Sequence, residues 1–310
     1  MTAPTTMPPP SRLEQLEMWA REHRLTLSAA RRRYAQCAVC QAIAASSYLA
    51  AELAFKGGNA LLFAYGSERS TTDLDFSCAS SPADFTVEHV RKELEATLPE
   101  AARRSGIRLR VQSAKRDPPS LLADTPTYLF KIAYAFPGEK AFSRWEIIKR
   151  DLPSVVVVEI AVNEKICATH TAPSESGIAT LQVSDLDDIV AEKLRALLQQ
   201  VVRNRRRPQD VFDLADLLRR QKALDLARVS AFLVAKALAR QIEVSKAAFR
   251  DSRVWERAAT DYPALRQTVS GAFVEFEEAR QAVLALVDKL DLPSDGPLLP
   301  EKTATRMDAE

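Results

Sequence analysis

Between Phe55 and Phe76 the chain reads Phe-Lys-Gly-Gly-Asn-Ala-Leu-Leu-Phe-Ala-Tyr-Gly-Ser-Glu-Arg-Ser-Thr-Thr-Asp-Leu-Asp-Phe, and most of its chemistry is concentrated there. Asp73-Leu74-Asp75-Phe76 alternates polar and apolar residues, which predicts a strand with both carboxylates on one face and Leu74 and Phe76 turned to a core. Gly66 and Ser67 form a turn just upstream, with Arg69, Ser70, Thr71 and Thr72 between it and the acids. Two carboxylates beside such a turn make a place for Mg²⁺ and a polyphosphate, because this hard cation is held by one or two carboxylates together with substrate phosphates. The chemistry that follows is in-line phosphoryl or nucleotidyl transfer.

Three further places carry unusual polar residues. Glu159 lies in Val155-Val-Val-Val-Glu-Ile160, an apolar strand where an ionised carboxylate is costly unless paired or bound to a cation. A strand-end glutamate that reaches solvent or bonds an arginine or lysine is the structural alternative, and Glu164 lies just past the strand. In Leu186-Asp-Asp-Ile-Val-Ala-Glu-Lys-Leu-Arg-Ala-Leu-Leu198, helical spacing puts Lys193 on the apolar side with Ile189, Val190, Ala196 and Leu197. A lysine there needs an anionic partner or snorkels to water. Glu192 and Arg195 fall elsewhere on that helix and read as solvated or salt-bridged. Asp210 and Asp213, after Arg203-Asn-Arg-Arg-Arg207 and Pro208, share a helical face three residues apart; Asp210 also suits a helix N-terminus for electrostatic reasons alone. The arginines read either as a solvated helix end or as a grip for acceptor phosphates.

Lys56, Gly57, Gly58, Ala60, Leu61, Tyr65, Gly66, Arg69, Thr71, Asp73 and Asp75 together resemble the signature of the AbiEii/AbiGii (MenT-like) nucleotidyltransferase toxins of toxin–antitoxin systems, within the polymerase-β-like superfamily. The downstream Ala191-Glu-Lys-Leu-Arg-Ala196 and the Gln209-Asp-Val-Phe-Asp-Leu214 stretch resemble two more motifs of that family, with Gln209 where the family carries Arg or Lys. The resemblance implies a polymerase-β-like domain whose metal ligands are Asp73, Asp75 and, from a later strand, Glu159. It implies nucleotide binding by Lys56, Gly66, Ser67, Arg69 and Thr71, with Lys56 alternatively pairing with Asp75 or shaping its turn. Lys193 then contacts nucleotide phosphates. Asp213, or second Asp210, completes the site as a base or by organising Lys193. The implied substrates are an NTP and an RNA acceptor, the 3′ end of tRNA, whose modification blocks translation; the implied partner is an antitoxin encoded nearby. A protein or small-molecule hydroxyl is the alternative acceptor, and an inactive nucleotide- or RNA-binding scaffold the alternative class. Which NTP and which acceptor are used, and the oligomeric state, are open.

The bulk numbers frame this reading. With 8 glycines and many Ala and Leu residues, helix should dominate. A net charge of +2 gives no global pull toward nucleic acid, so any such affinity must be local. Cys37 and Cys40 have no second pair and lie in Ala-rich helical sequence, which predicts core packing. Residues 1–10 carry no apolar leader core and no run approaches membrane-spanning length, which predicts a cytoplasmic protein without a membrane partner.

Periodicity predicts helices over 12–22, 27–53, 86–98, 185–203, 208–221, 224–245, 250–259 and 262–290, a short helical or turn segment over 60–65, and a helix break at Gly57-Gly58. Strands are predicted over 73–78, 106–113, 127–136 and 154–162; the valine run of the last suggests burial on both faces. Residues 165–185 read as loop. The expected architecture is α+β: a nucleotidyltransferase domain with a small mixed sheet over 12–180, then an all-helical domain over 181–292. Residues 1–11 and 293–310 read as flexible tails.

Overall fold

The computed structural model describes residues 13–23, 25–121, 123–148, 151–173 and 180–296. The chain divides into two compact units on either side of Ser184 and Asp185. The first holds α1 (Leu16–Glu22), α2 (Leu27–Ala45), α3 (Ser47–Glu52), β1 (Leu53–Lys56), α4 (Gly57–Tyr65), β2 (Asp73–Cys78), α5 (Val87–Ser105), β3 (Arg108–Asp117), β4 (Thr127–Ala135), α6 (Lys140–Ser143), β5 (Val155–Val162), β6 (Thr169–Pro173) and β7 (Thr180–Ser184). The second is helical: α7 (Leu186–Val202), α8 (Pro208–Arg219), α9 (Leu226–Leu238), α10 (Lys246–Arg250), α11 (Ser252–Ala259) and α12 (Phe276–Lys289).

The strands form one mixed seven-stranded sheet in the order β3-β4-β5-β2-β1-β7-β6, larger than the small sheet expected. Its centre is parallel β5–β2, flanked by antiparallel β4 and β1. Leu74, Phe76 and Cys78 of β2, Val156, Val158, Ile160 and Val162 of β5, and Tyr128, Phe130 and Ile132 of β4 are buried on one face. α5 supplies Val90, Leu94 and Leu98 to the core and packs on β3, while α2 packs on α5 and β5. Burial alternates along β5, so the valine run is not buried on both faces as expected. Val155, Val157, Glu159 and Ala161 stay half-open on the other face, where the site forms.

Three predicted boundaries fail. The helix expected over 27–53 ends at Ala45, because the Ser46 hydroxyl accepts the Leu49 N–H at 3.1 Å and starts a new helix. That helix gives way to β1, whose Leu53, Ala54 and Phe55 are buried between β2 and β7. An Ala-rich approach hides a strand whose conformation is decided by pairing rather than propensity. The predicted loop over 165–185 contains β6 and β7, paired antiparallel. The helix expected over 262–290 begins only at Phe276, after a 3₁₀ turn at Tyr262–Thr268. The tail expected at 1–11 lies outside the described residues, as does the part of the second tail beyond 296. Residues 293 and 294 are not loose: their carbonyls accept the Lys246 and Ala247 N–H groups at 2.8 and 3.1 Å. Cys37 and Cys40 are buried in α2, and burial pushes their thiols up, that of Cys37 to about 12, which leaves them inert packing groups.

Candidate active site

Strand register places the acids. Asp75 stands directly opposite Glu159 in the parallel β2–β5 pair, and Asp73 is opposite Val157. Directly opposed residues share a face, so Asp73, Asp75 and Glu159 project from the open face of the sheet. Lys56 is opposite Asp75 on the β1 side, and Leu129 is opposite Glu159 on the β4 side. Ser77, two residues beyond Asp75, lies on the same face, where its hydroxyl donates to Glu164 at 2.5 Å. The Lys56 ammonium also binds Glu164, which is buried. The sequence left Lys56 open between phosphate, Asp75 and its turn; the ion pair shown for it is with Glu164, and Lys56 and Ser77 hold that carboxylate down beside the acids.

The glycines make room. Gly57 begins α4 with φ +73°, and a Cβ there would lie against the Asp75 carboxylate, 2.8 Å from its Cγ and 2.9 Å from its Cβ. A Cβ on Gly58 would lie 2.6 Å from Arg69 Nη2 and 3.1 Å from Thr71 Cγ2. The Lys56-Gly57-Gly58 turn therefore lets Asp75, Arg69 and Thr71 approach bare backbone, so the three motifs converge on one spot. Gly57→Ala is expected to lower stability by about 1–2 kcal/mol through the left-handed backbone. It should also slow transfer by about a hundredfold by displacing a correctly charged carboxylate. Thermal unfolding and nucleotide transfer measured on the same sample check both; a variant with wild-type transfer would separate the glycine from the acid.

Gly66 closes α4 in the left-handed region at φ +73°, and its N–H and that of Ser67 both bond Leu61 O. The two amides are thus occupied by the helix end, and what the pair can offer a phosphate is the Ser67 hydroxyl, whose oxygen accepts the Arg69 N–H at 3.4 Å. Sequence reasoning overlooked Gln36 and Asn59. Gln36 Nε2 donates to the Thr71 and Thr72 carbonyls at 3.2 and 2.9 Å. Asn59 Nδ2 donates to Asp73 O at 2.6 Å, while its fully buried Oδ1 has no partner among the described residues. The visible signal was an asparagine in the apolar stretch Gly58-Asn-Ala-Leu-Leu62.

The donor set on this face consists of carboxylate oxygens with no thiol or imidazole, which suits a hard cation. Among the described residues no three acidic, histidine or cysteine side chains close into a ready metal shell. An open set of carboxylates that needs substrate oxygens to complete it is the arrangement Mg²⁺ takes at phosphoryl-transfer sites. The residues therefore fit Mg²⁺ bound together with a nucleotide.

The second unit carries its own polar cluster. Lys193 on α7 is only 6% exposed, and its ammonium donates to Asp210 Oδ1 at 2.8 Å and Asp213 Oδ2 at 2.7 Å, both on α8. Pro208 at the first turn sets the start of α8, and the spacing of three residues puts both acids toward α7. Asp210 and Asp213 are 5% and 1% exposed, so this is a buried ion triad. A second one escaped the sequence reading: Lys236 on α9 lies 3.1 Å from Asp188 and 3.6 Å from Glu192. Glu192 also pairs with Arg195, which is buried rather than solvated. Of the arginine run, Arg203 to Arg206 are exposed. Arg206 pairs with Asp261 at 3.0 Å, and the Arg203 guanidinium is pushed down by partial burial and by the neighbouring Arg240, Arg205 and Arg195.

An acid pair on a central strand, a third acid opposite it and a glycine turn that admits arginine and threonine are what an enzyme of the nucleotidyltransferase class needs. The solved structure of MenT4, a nucleotidyltransferase toxin of Mycobacterium tuberculosis H37Rv, superposes with a TM-score of 0.57 at 19% identity, covering 88% of this chain and 89% of that one, and shows the same fold. Two Helicobacter pylori structures, one described as a "putative nucleotidyltransferase" and the other JHP933, match at TM-scores of 0.48 and 0.47 with 14% and 16% identity, each covering 85% of this chain and 95% and 92% of theirs. A comparison with curated proteins returned no match. The profile described as "Nucleotidyl transferase AbiEii toxin, Type IV TA system" matches residues 41–284, more than half of the chain, and the protein belongs to that family of toxin–antitoxin nucleotidyltransferases. Its substrate is accordingly an NTP and its partner an antitoxin.

Proposed function

We propose that this toxin transfers a nucleoside monophosphate from an NTP to an RNA hydroxyl, the 3′ end of tRNA, and thereby blocks translation in the cytoplasm. The observation that carries the reading is the β2–β5 register, which sets Asp75 beside Glu159 with Asp73 on the same face. Asp73, Asp75 and Glu159 would hold Mg²⁺, which when bound supplies charge stabilisation to the transferring phosphoryl group. Ser67 donates its hydroxyl to a phosphate oxygen, and Arg69 and Thr71, drawn in over Gly58, bind the same phosphates. The acceptor oxygen forms a bond to the α-phosphorus while the α–β bridging bond breaks, its electron pair leaving on pyrophosphate. The acceptor proton passes to a carboxylate of the Asp73–Asp75–Glu159 face.

Lys193 is assigned to the phosphates by the family motif, and its bonds to Asp210 and Asp213 support a positioning role for both aspartates, Asp213 the more deeply buried. The Arg203 to Arg207 run, exposed as far as Arg206, supports an acceptor with phosphates, to which such residues give affinity without sequence preference. No helix among the described residues is long and apolar enough to cross a membrane.

The test is incubation of the purified protein with total RNA and each α-labelled NTP, with Mg²⁺ or with chelator. Label in a tRNA-sized band with one NTP, lost on chelation, is the expected result. Label on protein or on a small molecule would replace the RNA acceptor, and transfer that survives chelation would remove the metal.

A further inference from the structure

The face that carries the acids does not stop at β5. Reading the register outward, one cross-strand row runs Asp75, Glu159, Leu129, Lys115 from β2 to the edge strand β3. The neighbouring row runs Asp73, Val157, Lys131, Ser113. Strands lie about 4.8 Å apart and directly opposed residues share a face. Lys131 is therefore rooted about 10 Å from Asp73, and Lys115 about 10 Å from Glu159, on the acids' own face. A lysine stem covers much of that span. Both lysines are exposed, and no carboxylate among the described residues pairs with either. This contrasts with Lys56 on the opposite flank of Asp75, which Glu164 neutralises.

Two parts of the face are covered. Toward Val155 and Ala133 it is roofed by Trp145 and Leu152, held there by Arg110 over the Trp145 ring and by Gln112, which bonds the Leu152 backbone through both ends of its amide at 2.7 and 3.3 Å. Toward Ser77 it is roofed by Glu164. Between them a strip stays open from the acids across Val157 and Leu129 to two cations.

In-line transfer gives this strip a role. The attacking and leaving oxygens lie on opposite sides of the α-phosphorus. Of the groups that suit the leaving polyphosphate, Arg69 and Thr71 lie over Gly58, next to the Gly57 backbone that Asp75 packs on, and so approach the acids from the α4 side of β2. The attacking hydroxyl must then come from the opposite side, which is the β5–β4–β3 side. We propose that the open β4–β3 strip is the acceptor track of the enzyme, with Lys131 and Lys115 binding consecutive backbone phosphates of a single-stranded RNA end whose terminal hydroxyl is thereby delivered to the acids. Half-exposed Leu129 and Val157 give its last nucleotides an apolar floor. The track rests on the RNA reading above and adds where the acceptor runs and what holds it.

The test compares wild type with the Lys115→Gln/Lys131→Gln double variant and with Lys115→Arg/Lys131→Arg. Both positions are exposed, so folding should not change. Three quantities are read for each: RNA affinity as a function of salt, KM for RNA, and KM for the NTP. The double glutamine variant should raise the RNA KM about tenfold and flatten the salt slope by about 1.4, the value for two lost single-strand phosphate contacts. It should leave the KM for the NTP unchanged, and the arginine variant should behave as wild type. If wild type binds and labels RNA while the glutamine variant keeps its RNA KM and salt slope, the track is wrong and the RNA reading stands. If the KM for the NTP rises instead, the lysines hold the triphosphate and the track is equally overturned. If wild type labels protein and ignores RNA, the reading itself fails and the track falls with it.

Discussion

Asp75→Ala is expected to reduce nucleotidyl transfer by about a thousandfold or more while the protein stays folded. Removing the charge at the centre of the acid row forfeits transition-state stabilisation of several kcal/mol, and each 1.36 kcal/mol is a factor of about ten. The fold should tolerate the change because Asp75 projects from the open face of β2, whereas the strand is anchored by Leu74 and Phe76 beneath it. The same substitution also removes the group that crowds Gly57, so the turn is not strained by it. Asp75→Asn keeps the shape without the charge and should be equally inactive; recovery of activity in the amide variant would show that geometry rather than charge was lost. Circular dichroism and thermal unfolding report the fold, and single-turnover transfer reports the chemistry. A residual rate within a few fold of wild type in either variant would remove Asp75 from the site.

Lys193→Met should destabilise the helical unit by about 3–5 kcal/mol, the range for breaking a buried ion pair from one side. Asp210 and Asp213 would be left facing each other at 5% and 1% exposure with their shared cation gone. Because total stabilities are of order 5–15 kcal/mol, this single change could bring the unit close to unfolding, and loss of activity in it alone would say nothing about catalysis. The informative partner is Lys193→Met/Asp210→Leu/Asp213→Leu. Replacing a whole buried ion cluster by apolar residues is often neutral or stabilising, so urea unfolding should return toward wild type. Transfer should remain lost in the triple variant if Lys193 serves the nucleotide phosphates. A triple variant that both folds and transfers would reduce the cluster to a structural clamp between α7 and α8. A Lys193→Met protein as stable as wild type would show that the cluster is more open to water than its burial indicates.

The strand register, the glycine contacts and the ion triad differ in how far the sequence specifies them. The strand over 73–78 was legible in full, because alternation of Asp73, Leu74, Asp75 and Phe76 is a local pattern with one backbone solution. The α7 and α8 helices were legible too, since their apolar spacing is regular and Pro208 marks a start. β1 and β7 were not: each is four or five residues long, and they pair with each other across more than a hundred residues of chain. The partner of Lys56 was equally hidden, because Glu164 is 108 residues away and adjacent only through β2 and β5.

The sequence by itself therefore determined the residue types of the chemistry, the class of enzyme they belong to, and the spacing that turns two aspartates to one side of a strand and two more to one side of a helix. These are consequences of backbone periodicity, which acts over a few residues. The tertiary structure alone decided that Glu159 stands level with Asp75 rather than one residue off, since a shift of one would send it into the core. It also decided that Gly57 and Gly58 face Asp75 and Arg69, that Gly66 and Ser67 use their amides on α4, and that Lys193 meets both aspartates at once. Each of these depends on which strand or helix lies alongside, and that is fixed by burial of the whole core rather than by any local stretch of chain.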